Sequence, residues 1–161
     1  MIVVDLGCCE HYGEISVEPL LDRFHPDILY GFDPALEAPL QYQVGETQVE
    51  LSSVAAWLFD GEVGYIFDGL RSRIGDFDPR VRCFDFPVWL RGLGAQNVVC
   101  KMDIEMAEIP LLEAMHEGGE DELLSLLLVE WHDHLPEWND DLSARRDRLV
   151  GVLRCAVEAW A

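Results

Sequence analysis

The sequence predicts an α/β protein: a mostly parallel sheet flanked by helices on both faces. Three observations carry this. Short apolar runs end in acids: "VVDLG" at 3–7, "DILYGFD" at 27–33, "NVVCKMDIE" at 97–105 and "LLSLLLVEWH" at 123–132. Strands buried on both faces of a parallel sheet read this way. Apolar residues at helical spacing lie between several of them. The resulting strand–helix–strand order is the signature of βαβ units.

The elements follow in order. Residues 2–6 form a central strand that ends in Asp5 and runs into a loop with Gly7 and Gly13. Ile15, Leu20, Leu21 and Phe24 mark a helix, with Pro19 tolerable near its start. Ile28–Phe32 is the second strand, closed by Asp33-Pro34. "TQVELSSVAAW" at 47–57 reads as one third strand, with an optional helix before it. "DGEVGYIFDG" turns at Asp60-Gly61 and alternates at Val63, Tyr65 and Phe67, a β-hairpin excursion pairing antiparallel with "VRCFDF" at 81–86. Pro87 opens a short helix to Leu93. The strand at 97–105 leads to a helix, "IPLLEAMHEGG", with a glycine stop. After the strand at 123–132, Leu142, Leu149, Leu153, Ala156 and Trp160 mark one face of a C-terminal helix from Asp140.

The chain of 161 residues reads as one domain, residues 1–161, with a core of normal size for its 50% hydrophobic content. The net charge is -20, and Lys101 is the only lysine. Such a surface repels phosphate backbones and anionic membranes, which argues against nucleic-acid and membrane partners. No apolar run is long enough to span a bilayer, and the start lacks a charged region followed by an apolar one, so a cytoplasmic location is expected. Cys8, Cys9, Cys83, Cys100 and Cys155 are odd in number and contain no CxxC pair. They read as reduced, mostly buried thiols, and Cys8, Cys9 and His11 do not make a zinc site.

Ligands of parallel α/β sheets bind beyond the carboxyl ends of the strands. Those ends carry Asp5, Asp33, Asp103 with Glu105, and Glu130 with His132. The loop "GCCEHYG" fails the dinucleotide pattern G-x-G-x-x-G, and its acids suit a cation better than a phosphate. Asp33 can accept both hydroxyls of a ribose, or can simply shape its turn. An acidic glycine loop together with such an acid suits a nucleoside cofactor without a pyrophosphate, such as S-adenosylmethionine.

The stretch "KMDIEMAE" at 101–108 resembles the fourth-strand motif K-x-D-x-E-G-x-E of the FkbM family of S-adenosylmethionine-dependent methyltransferases. Lys101, Asp103, Glu105 and Glu108 match it in type and spacing. "VVDLG", "LYGFDP", "SSVAAWLFDGEV" and "LLLVEWH" resemble the other family landmarks, in order, over roughly residues 2–134. The resemblance implies a Rossmann-like class I methyltransferase fold, shortened before the first strand and after the fifth. It implies methylation of a small-molecule or sugar hydroxyl. Asp5, Gly7, Gly13, Asp33 and Ala55 would hold the cofactor. The family loop D-x-G-A-N-x-G is here two residues longer, and Met106 replaces the glycine of E-G-x-E. Met106 is expected at negative φ, packed as an apolar wall, with the pocket beside Gly7 and Asp33 left open.

For the chemistry, Asp103, Glu105 and His132 are the candidate bases, with His132 the natural titrating group near ~6.5. Lys101 would orient Asp103 or Glu105; a simple ion pair is the alternative. His132 would otherwise bond Glu130. Asp103, Glu105 and His132 also suit a divalent metal, but the spacing does not require one and none is assigned. Arg145, Arg146 and Arg148 read as a solvated face. Two other functions compete: a non-catalytic relative binding a nucleoside or a protein, and a metal-dependent hydrolase.

Overall fold

The computed structural model describes residues 1–9, 14–67, 72–76 and 78–160. Gly13, one expected cofactor residue, and His11 lie outside the described residues. A seven-stranded sheet forms the centre, in the order β11-β10-β9-β1-β2-β4-β3. Its strands are β1 (Ile2–Leu6), β2 (Ile28–Phe32), β3 (Leu40–Val44), β4 (Thr47–Ser52), β9 (Val98–Met102), β10 (Leu124–Val129) and β11 (Ala156–Ala159). Every pairing is parallel except that of β3 with β4. The second strand thus lies beside the first, and β9 lies on its other side. Registers such as Asp5 opposite Gly31, Asp5 opposite Lys101 and Val129 opposite Met102 bring the carboxyl ends of these strands to one edge.

Helices cover both faces. The α1 helix (Glu18–Phe24) carries Leu20 and Leu21 into one core with Val3, Leu29, Val49 and Leu51. Pro19 sits in its first turn, and His25 ends it in the left-handed region at φ 45. The opposite face packs against α2 (Phe86–Gly92), α3 (Glu108–Gly118) and α4 (Asp140–Val152) through Leu90, Leu111, Leu112, Met115 and Leu149. Two of these helices begin on side-chain caps. Asp85 accepts from the Val88 amide at 2.9 Å, and Asn139 accepts from the Leu142 amide at 3.0 Å. Among the described residues, no helix is long and apolar enough to cross a membrane.

The hairpin excursion is a second sheet of β5 (Ala55–Trp57), β6 (Gly61–Phe67), β7 (Ser72–Gly75) and β8 (Arg80–Asp85), in the order β5-β8-β6-β7. As expected, β6 and β8 pair antiparallel, Val63 opposite Val81. An aromatic cluster fastens this sheet over the end of β2. The Phe32 ring lies 4.6 Å from Phe84 and 4.9 Å from Trp89, and Tyr30 meets Trp89 edge-on at 5.3 Å.

Three expectations need correction. Residues 47–57 are two strands, not one: the chain turns at Ser53, whose hydroxyl donates to the Leu36 carbonyl, and β5 leaves for the second sheet. The optional helix before it is instead β3, whose residues are all exposed, so neither face gave a burial signal. The C-terminal helix stops at Val152, and Ala156 belongs to β11. There β11 supplies hydrogen bonds that the edge of β10 would otherwise lack. The Trp160 amide completes the ladder by donating to the Val129 carbonyl at 2.9 Å.

Candidate functional site

The site sits where strand order reverses, between the ends of β1 and β9. Gly7 makes the reversal possible. It takes φ +83, and a Cβ there would lie 1.8 Å from the Asp103 carbonyl oxygen. Only glycine lets the two strand ends approach this closely. The Asp103 amide donates to the Leu6 carbonyl at 2.9 Å, and the Gly7 amide donates to that of Phe32.

Beside this crossing is a pocket open in part to solvent. Gly7, Asp33, Ala55 and Asp103 line it, with walls from Phe32, Pro34, Ala56, Tyr65, Ile74 and Ile104. Tyr65 and Ile74 come from the second sheet. The alternation that marked this hairpin as a strand pair gave no sign of its place over the pocket. Asp33 is buried, and its two oxygens accept from the backbone amides of Cys9 at 3.1 Å and Ala35 at 2.7 Å. Burial raises its pKa against the pull of those amides. Asp33 therefore staples the loop after β1 to the end of β2.

Asp5 does not reach the pocket wall. It is wholly buried and meets Lys101 as an ion pair at 3.1 Å. Burial outweighs the lysine and pushes Asp5 up to about 7. Lys101 also lies 3.3 Å from Asp103 and donates to the Gly7 carbonyl at 2.5 Å. Burial works against its charge, but Asp5 and Asp103 outweigh burial and hold Lys101 protonated. Asp5 and Asp103 are thus its ion-pair partners.

The third group surrounds His132, which is 2% exposed. Its Nδ1 lies 3.0 Å from Glu108, and its Nε2 lies 3.4 Å from Asp103 and 3.6 Å from Glu105. Glu108, at 0% exposure, was legible only as a motif position; its oxygen also accepts from the Ile104 amide at 2.9 Å. Burial disfavours the imidazolium, but Asp103, Glu108 and Glu105 outweigh it and raise His132 to about 10. His132 is therefore a doubly donating clamp near neutral pH, displaced from the titration near 6.5 expected from its type. Its Nδ1 partner is Glu108, where the sequence suggested Glu130. Burial also raises the Asp103 pKa, but His132 and Lys101 outweigh it and lower the net value.

Glu105 and Met106 both adopt positive φ, 49 and 78, in a turn closed by the Ala107 amide on the Ile104 carbonyl at 3.3 Å. Met106 thus keeps the backbone that the motif's glycine would favour, contrary to the expected negative φ. The turn aims Glu105 at His132. Of the cysteines, Cys8, Cys83 and Cys100 are buried, Cys9 and Cys155 half-buried, and all five are free. Comparison with protein-family models, curated proteins and solved structures gives no match.

Proposed function

We propose that the chain is an S-adenosylmethionine-dependent methyltransferase of the FkbM type, with a Rossmann-like class I fold, acting on a hydroxyl of a small molecule or carbohydrate. The observation that carries this reading is the pocket at the switch point, lined by Gly7, Asp33, Ala55 and Asp103. Its walls are mainly apolar, with a few polar groups converging on it, as in small-molecule sites. The residues fit a nucleoside. Phe32, Pro34, Ala55, Ala56 and Ile104 offer apolar surface to a base. Each Asp33 oxygen accepts one amide and keeps a second lone pair for a ribose hydroxyl.

S-adenosylmethionine supplies a methyl group on a positively charged sulfur, open to displacement by an acceptor oxygen. Asp103, which lines the pocket as a carboxylate, complements that charge. Lys101 holds Asp103 in place from beneath. Asp103 and Glu105 are the proton acceptors available for a hydroxyl, and His132 fixes both. Alignment of acceptor and methyl carbon is the main contribution such a site makes.

One observation favours the non-catalytic alternative: both Asp33 oxygens already accept backbone amides. Calorimetric titration of S-adenosylmethionine and S-adenosylhomocysteine tests the cofactor, and formation of S-adenosylhomocysteine from bound S-adenosylmethionine in the presence of a hydroxyl acceptor separates the two. The methyltransferase reading expects saturable binding of both at one site per chain. Asp33→Ala should weaken it by about 1–3 kcal/mol through loss of a charged acceptor. The two stapling amides make a loss of fold stability of similar size expected as well. Absence of binding by either compound to wild-type protein would refute the cofactor.

A further inference from the structure

We infer that Asp103, Glu130 and His132 form a binding site for a divalent metal ion. Each offers one ligand atom, and the three atoms lie within 4.8 Å of one another. The fold creates this convergence. Val129 is opposite Met102 in the parallel pairing of β10 with β9, and the Glu130 amide donates to the Met102 carbonyl at 3.0 Å. The acids that follow the two strands therefore emerge side by side, with His132 two residues on. Two carboxylates and one imidazole suit ions such as Mn²⁺ and leave octahedral positions open.

Two observations beyond that convergence point to a cation. The first is the support behind His132. The wholly buried Glu108 accepts at Nδ1 and leaves Nε2 toward Asp103, the arrangement that fixes the ring of a metal-bound histidine. Glu108 is itself fixed by the Ile104 amide. The second is unbalanced negative charge. The other oxygen of Glu108 is buried with no hydrogen-bond partner among the described residues. Asp103, Glu108 and Glu130 surround one imidazole, and Lys101 is shared between Asp103 and Asp5. A buried carboxylate oxygen left without a donor, as in Glu108, is costly, and a divalent ion beside the histidine that Glu108 holds offsets part of that charge. The ion takes the position of the Nε2 proton. Asp103 belongs both to this donor set and to the pocket, so the ion would lie beside any molecule bound there.

The site stands on its own geometry, so the test uses Mn²⁺ alone, with no nucleoside present. Binding is read from the loss of the free-ion electron paramagnetic resonance signal, in buffer with at least ~0.15 M salt to screen the acidic surface. Wild-type protein should show one saturable site. Glu130→Gln should weaken it at least tenfold, and Asp103→Asn by a similar factor. Glu130 is only half-buried, so its variant should remain folded. Glu46→Gln, in the exposed turn between β3 and β4, should stay within twofold of wild type. No saturable site in wild type, an affinity unmoved by Glu130→Gln, or equal weakening by Glu46→Gln would overturn the inference. Mn²⁺ binding without S-adenosylmethionine binding would leave the metal site standing and remove the methyl-transfer reading alone.

Discussion

Replacing Met106 by glycine should stabilise the protein relative to replacing it by alanine. Both substitutions remove the side chain beyond Cβ, so their difference isolates the backbone. Met106 sits at φ 78, next to Glu105 at φ 49. An L-residue in the left-handed region costs about 1–2 kcal/mol, and glycine escapes that cost. Glycine gives back about 0.4–1 kcal/mol through the freedom of the unfolded chain. The net advantage of glycine over alanine is therefore roughly 0.5–1 kcal/mol. At an ordinary helical or extended position the sign is reversed, with alanine ahead by about the same amount. Urea denaturation of the two variants reads the difference directly. A gap of ~1 kcal/mol corresponds to roughly 2–4 °C in melting temperature for a chain of this size. Alanine more stable than glycine at position 106 would refute the positive φ and the strained turn that aims Glu105 at His132.

Further expectations follow from other parts of the structure. Gly7→Ala should cost roughly 3 kcal/mol or more, because its Cβ would collide with the Asp103 carbonyl; a urea midpoint near wild type would contradict the close crossing. Asp5, pushed from near 3.8 up to about 7, binds a proton in the native state that the unfolded chain has lost. Its contribution should therefore reduce stability as pH rises from about 4 to about 7, by roughly 3–4 kcal/mol at most. Asp5→Asn should flatten that slope in denaturation curves taken across the range, and an unchanged slope would contradict the assignment. Glu113 holds Arg145 through two hydrogen bonds, at 2.9 and 2.6 Å, and its pKa is lowered by that partner. Its stabilisation is present above the usual glutamate range and lost as pH falls through the lowered value. Glu113→Gln should cost about 0.5–1 kcal/mol at neutral pH, given the partial exposure of the pair, and nothing in strong acid.

Much of this architecture was legible because buried parallel strands announce themselves. Runs such as "IVVDL" and "VVCKM" have no polar face, and parallel strands necessarily end on one edge, so the meeting of Asp33 with Asp103 followed from the element order. Strands with little burial were not legible. β3 exposes all five residues, and β11 exposes most of its four; each is held by backbone hydrogen bonds to a neighbouring strand that no sequence window contains. The site was half legible for a similar reason. Residue types placed Asp103, Glu105 and His132 together. The wholly buried Glu108 behind the histidine, and the transfer of Lys101 to Asp5, depend on tertiary packing. The two amides on Asp33 come from opposite sides of a turn and a loop, and no local pattern encodes them.

The proposed cofactor would enter the pocket beside Gly7 and Asp33 as a nucleoside bearing a cationic or thioether sulfur. Nuclear magnetic resonance mapping of amide shifts during titration with S-adenosylhomocysteine tests it most directly, because it reports location as well as binding. Saturable shifts are expected at Gly7, Ala55, Ala56 and Ile104, with β11 and the C-terminal half of α4 unmoved. Saturable shifts confined to another surface, or none at millimolar ligand, would contradict it.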